Sequence, residues 1–189
     1  MMTRFHLLPA VFAAALVFCC ASGHAEVQKI MYLCDGKLCP LFKLVITPPH
    51  GWVIEKEATS KNKVQILVQE GKNFRNAEPL IYVKVSWHKD KQQPLADFAR
   101  ISNEHWQAGA SDARISELAP VERANGKAAF LRFSYETPSK AQQAFEIVSF
   151  GLDSDNDGNE FVLMVGMTGN SKAALDRANK DYVSLLAAH

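Results

Sequence analysis

The stretch Phe161-Val162-Leu163-Met164-Val165-Gly166-Met167 limits the fold more than any other part of the chain. It is apolar at nearly every position and shows no alternation. A strand with one wet face needs polar residues at every second position, so a strand of this composition has to be covered on both faces. The rest of the chain must therefore supply two covering layers.

Several segments read as partner strands. Phe42 to Pro48 is a strand stopped by Pro48-Pro49, and Trp52 to Ala58 alternates apolar and charged residues as a half-buried strand does. Lys63 to Glu70 and Leu80 to His88 are rich in β-branched and aromatic residues. Arg114 to Glu122 and Ala128 to Glu136 flank Asn125-Gly126, a strong turn signal, which predicts a hairpin. Ala144 to Leu152 and Glu160 to Thr168 flank an acidic stretch. Between the strands the period changes to that of a helix. Pro94 suits a first helical turn, Gly109 a stop, and Leu95, Phe98, Ala99, Ser102, His105 and Trp106 share one face. Asn170 or Ser171 caps a last helix, whose apolar face is Leu175, Ala178, Tyr182, Leu185 and Leu186. Two helices and a single sheet cover only part of the required area. The expected fold is α+β: an antiparallel sheet with two main helices in an α/β/α sandwich, or with one face covered by the N-terminal arm.

The first 25 residues stand apart from this pattern. Arg4 precedes an apolar run from Leu7 to Phe18, and Gly23-His24-Ala25 offers small residues at a cleavage site. This is the layout of a secretory signal peptide, too short to span a bilayer. Cys19 and Cys20 near the end of the run raise a lipoprotein reading, but each follows a bulky or thiol residue where lipidation wants a small one. Cleavage after Ala25 leaves residues 26–41 as an N-terminal arm and 42–189 as a single domain. The chain has 21 basic and 20 acidic side chains, and Arg4 is the only charged residue up to Ala25, so the remainder is formally neutral. Without Lys/Arg runs, nothing points to nucleic acid or an anionic membrane as partner. The expected location is periplasmic or secreted, with no transmembrane segment after processing. Cys34 and Cys39, separated by Asp-Gly-Lys-Leu, then read as a disulfide around a tight turn. Closing so short a loop stabilises by about 2 kcal/mol in the chain-entropy model. A redox pair would want Cys-x-x-Cys and a following helix start, which are missing here.

The segment Ile46-Thr47-Pro48-Pro49-His50-Gly51-Trp52-Val53-Ile54-Glu55-Lys56 resembles the Pro-x-Gly-Trp strand entry of the PsbP-like and DcrB-like proteins. The helix after a pair of strands, the Asn-Gly hairpin, the aromatic strand pair and the closing helix are similar too. The fold is shared with a nuclear protein that binds the GTPase Ran. The resemblance covers Phe42 to His189 and leaves out the cysteine arm. It implies a non-enzymatic adaptor, chaperone or envelope accessory protein, and it carries over no active-site residues.

Asp153, Asp155 and Asp157 stand at alternate positions ahead of Gly158, as in the first half of an EF-hand loop. Position 12 of that loop is Met164, which cannot ligate, and the flanks are strands, so a complete EF-hand is excluded. A hairpin tip, or a weak calcium site completed by Glu160 or a backbone carbonyl, remains. His50, His88 and His105 fall in different elements without metal-ligand spacing. His105 reads as a packed residue of the inward helix face, and His88 as exposed. Ser60-Lys61-Asn62-Lys63 matches Ser-x-x-Lys, but it reads as a polar connection and lacks a companion Lys-Thr-Gly. No catalytic residues and no cofactor are expected. Trp87 with His88, at a strand end, is the candidate interface pair, because interfaces favour Trp as an anchor. The expected function is an exported, non-enzymatic protein-interaction module of the cell envelope. The alternatives are an inhibitor or immunity protein against a toxin or cell-wall hydrolase, and small-molecule or lipid binding.

Overall fold

The computed structural model describes residues 27–34, 36–124 and 126–189; of Cys34, only the backbone is among them. The elements are β1 (Val27–Cys34), β2 (Lys37–Leu44), β3 (Trp52–Ile54), α1 (Lys56–Asn62), β4 (Gln65–Gln69), β5 (Leu80–Trp87), α2 (Leu95–Gly109), β6 (Arg114–Val121), β7 (Phe130–Glu136), β8 (Phe145–Ser154), β9 (Glu160–Gly169) and α3 (Lys172–Ala188). Seven strands form one antiparallel sheet in the order β3-β4-β5-β9-β8-β7-β6, and β1 pairs with β2 as a separate hairpin.

The uniformly apolar strand is β9, at the centre of the sheet. Its odd residues Phe161, Leu163, Val165 and Met167 pack with α3, Val27 and Leu44. Val162 and Met164, pointing the other way, join Ala99 and Phe98 of α2. Further along that second face, α1 covers Ile66, Val68 and Leu80 through Ala58. The sheet is thus covered on both sides, by α3 and the β1–β2 hairpin on one and by α1 and α2 on the other, with α2 over β9 itself. Helix α3 buries the expected Leu175, Ala178, Tyr182, Leu185 and Leu186. The Tyr182 hydroxyl, deep under the sheet, satisfies its bonding capacity with Ser149 Oγ (2.7 Å) and the Val165 carbonyl (2.7 Å).

Three expectations are corrected. The strand from Trp52 stops at Ile54, and the Ser-x-x-Lys stretch lies in α1 and the residue that caps it. Glu55 caps that helix by accepting a hydrogen bond from Ala58 N–H, and Lys63 ends it in the left-handed conformation (φ 57°). The N-terminal arm is a regular hairpin in which Cys34 pairs with Lys37 and Gly36 takes φ 75°. Because Val27 and Leu44 belong to the main core, the boundary at 41/42 cuts through β2, and the hairpin is part of the domain. Third, His105 is exposed. Trp106 is only half-buried, stacked on Tyr135 at 4.9 Å with its Nε1–H donating to Thr137 (3.2 Å). Along α2, Ala99 is the buried residue, with Leu95, Phe98 and Trp106 partly buried against the sheet. The expected hairpin is present: β6, ending at Val121, pairs antiparallel with β7, beginning at Phe130, and Asn125 lies outside the described residues.

Candidate functional site

The β1–β2 hairpin pairs Val27 with Leu44, Lys29 with Phe42, Met31 with Pro40 and Leu33 with Leu38, which places these residues on one face. At the base this face is covered, since Val27 and Leu44 are buried and Phe42 packs on Phe161 at 4.8 Å. Toward the tip the cover ends. Met31 is 51% exposed, Leu38 68% and Leu33 74%. These are neighbours across the hairpin, so they form a contiguous apolar area and are not scattered surface residues. On the opposite face Tyr32 is held by Lys63, whose Nζ lies 4.5 Å from the ring centroid.

Trp87 extends the same area. It ends β5 on the face that looks to α3 and the hairpin, 6.5 Å from Phe42 and 49% exposed. Lys89 Nζ stands 5.3 Å from its ring. The other half of the predicted interface pair does not join it. Adjacent residues of an extended strand point to opposite faces, so His88 turns inward under α2. It is 1% exposed, edges onto Phe98 at 5.2 Å, and holds Glu160 through Nδ1 and the Gln93 carbonyl through Nε2 (3.0 Å). His88 is a brace between β9 and the start of α2. Met31, Leu33 and Leu38 were missed at the sequence level. A signal was present in the unbroken apolar run Ile30-Met31-Tyr32-Leu33, which no half-buried hairpin strand requires.

The three aspartates are not brought together. Asp153 is 4% exposed and turned into the fold, where it accepts from Arg123 (3.2 Å) and Lys127 (2.5 Å). Arg123 is itself buried; it also donates to the carbonyls of Leu152 (2.6 Å) and His189, and lies over Phe130 at 4.9 Å. Burial pulls the Arg123 guanidinium below its ordinary range, against the pull of Asp153. Asp155 organises the hairpin tip. Its carboxylate accepts from the N–H groups of Asp157 (3.0 Å) and Asn159 (2.9 Å) and from the Asn159 side chain (2.8 Å), bonds that hold it below its ordinary pKa. Asp157 points to solvent, and Gly158 takes φ 76°. The stretch is a braced turn, and among the described residues no group of three His, Cys, Asp or Glu side chains could hold a metal. Of the cysteine pair, the Cys34 side chain lies outside the described residues. Its backbone and Cys39 stand two positions apart in register on one face of the hairpin.

A second buried carboxyl is Glu146 on β8, opposite Thr168 and Tyr135 in register. Tyr82 donates to it across Gly166. Gly166 is required for that reach, because a Cβ there would come within 2.0 Å of the Tyr82 ring. Burial raises the Glu146 pKa from 4.5 to about 7, against the hydrogen bond from Tyr82 and the charge of Lys140.

No helix among the described residues is long and apolar enough to cross a membrane. No protein-family model and no curated protein matches the sequence.

Proposed function

We propose that this chain is an exported, non-enzymatic module that binds another protein through the tip of the β1–β2 hairpin and Trp87. The observation that carries this is the exposure of Leu33 and Leu38, facing each other across the hairpin, in continuity with Trp87. At their present exposure, burial against a partner is worth about 1–2 kcal/mol for each leucine. A central Trp is a typical hot spot, worth about 2 kcal/mol or more. The hairpin is a two-stranded sheet, so each strand keeps an outer edge of backbone groups that a partner strand can pair. Lipid offers no such partner, which favours protein over membrane. Lys29, Lys37 and Lys89 are exposed around the apolar centre, and they suit a partner with an apolar patch and an acidic rim.

The PsbP/DcrB-like assignment belongs to the same proposal. Its support is the Pro-x-Gly-Trp turn, in which Trp52 N–H returns to the Pro49 carbonyl (3.0 Å) and Gly51 takes φ 78°. The buried Trp52 ring then donates Nε1–H to Asp181 of α3 (3.0 Å). An adaptor and an inhibitor would use the same surface, and the identity of the captured protein separates them. The test is a pull-down from cell-envelope extract with the parent chain and the Leu38→Asp/Trp87→Ala variant, alongside flotation with anionic vesicles. The expected result is a partner held by the parent and lost by a variant that still melts cooperatively. A partner retained by that variant, or vesicle binding in its place, would remove the proposal.

A further inference from the structure

Two arginines are buried on the α3 side of the sheet, and the fold treats them differently. Arg123 has a carboxylate counter-ion, Asp153. Arg132 has none. It is 9% exposed, on β7 between Leu118 and Ser149 of the neighbouring strands. Its Nη1 reaches the Ala119 carbonyl at 3.3 Å and its Nη2 the Asn179 Oδ1 at 3.4 Å, both long contacts, and its Nε is buried without a partner. The ring of Tyr182 lies 5.9 Å beneath, but the hydroxyl of that ring is already engaged by Ser149 and Val165. Among the described residues no carboxylate lies within salt-bridge distance of Arg132. A guanidinium removed from water without a counter-charge is costly, and a bound anion would offset that cost.

Arg132 also lines a cleft of about 380 Å³ between α3 and the β6–β8 end of the sheet. This is within the usual range for small-ligand sites, about 300–1,000 Å³. Leu118, Phe145, Ile147 and Leu175 give the cleft apolar walls, and Lys172 stands on its lining as a second cation. Three acidic residues are also on the lining. Glu146 is committed to Tyr82, and Glu136 and Asp176 form no ion pair with Arg132. A guanidinium fork pairs with a carboxylate or a phosphate alike, and it is the apolar walls beside it that select an anion carrying a short hydrocarbon body, a carboxylate rather than free phosphate.

The geometry points to a binding site for a small amphipathic carboxylate, with Arg132 holding the carboxylate and the cleft walls its hydrocarbon. This site is separate from the hairpin surface and does not depend on it. The experiment is calorimetric titration of the full chain with octanoate, octanol and inorganic phosphate. Octanoate is expected to bind, with octanol and phosphate about tenfold or more weaker. Arg132→Gln is expected to lose octanoate affinity by a similar factor while its melting transition stays cooperative. Should that variant fail to fold, Lys172→Glu at an exposed position takes its place, with a severalfold loss expected. Absence of octanoate binding at millimolar concentration, phosphate binding more tightly than octanoate, or affinity unchanged in the folded variant would each overturn the assignment.

Discussion

Replacing Glu146 with Gln should make the domain more stable at neutral and alkaline pH, and the gain should vanish in acid. Glu146 is 6% exposed, and burial lifts its carboxyl from 4.5 to about 7. Below about pH 4.5 the carboxyl is protonated whether the chain is folded or unfolded, so it contributes no pH dependence there. Between 4.5 and about 7 the folded chain keeps a proton that the unfolded chain has released, so stability falls as pH rises. Above that window the group is ionised in both states and the full penalty is present. At about 1.4 kcal/mol per pH unit the window corresponds to a penalty of about 3 kcal/mol. The Gln side chain has no charge to desolvate and can still accept the Tyr82 hydrogen bond, so it removes the penalty and keeps the contact. Urea denaturation of parent and variant across pH 4–8 isolates the effect, because other titrating groups cancel in the difference. The two should be nearly equal at pH 4, with the variant ahead by about 3 kcal/mol at pH 8. A difference that stays flat over this range, or a variant less stable at pH 8, would refute the reasoning.

Three other outcomes follow from the same structure. Asp153→Asn leaves Arg123 buried without its counter-ion and should cost about 3–5 kcal/mol in denaturation, whereas a loss under about 1 kcal/mol would mean that the pair is solvated. Thermal melts with about 1 mM calcium and with chelator should overlay to within about 1–2 °C, since a site with a dissociation constant of about 1 mM adds only about 0.4 kcal/mol; a rise of about ten degrees that Asp155→Asn abolishes would restore the metal site. Mass spectrometry of the non-reduced exported chain should find Cys34 and Cys39 closed to alkylation, and two reactive thiols would exclude the disulfide.

The sheet and its layers were legible because period and composition report burial directly. The uninterrupted run in β9 predicted cover on both faces, and Leu175 to Leu186 predicted the inward face of α3. Helix α1 was hidden because Trp52 to Ala58 alternates as a strand would. The break comes from the Glu55 cap, a local side-chain-to-backbone bond that competes with the strand. His105 followed the helical period but is exposed, while its neighbour Trp106 is the residue of that turn that stacks on Tyr135 of the sheet. At the candidate site, Trp87 was legible as an aromatic at a strand end, whereas His88, next to it, had to face the other way. Asp153 looked like part of an acidic loop. Its place in the inward register Phe145, Ile147, Ser149, Gly151, Asp153 marks it as a buried strand residue. The long-range partners, Arg123 for Asp153 from the segment after β6 and Tyr82 for Glu146 from β5, are distant in sequence, and no local pattern announces them.

The most direct test of the hairpin as a docking surface is site-specific photocrosslinking in the envelope of the native host. A photoreactive residue at Leu38 should give one discrete protein adduct, and the same residue at Asn156, on the exposed tip of the β8–β9 hairpin, should give none. Adding Leu33→Asp and Trp87→Ala should abolish the Leu38 adduct while the chain remains folded. Adducts that are identical from Leu38 and Asn156, or a Leu38 adduct that survives those substitutions, would contradict a partner held by this face.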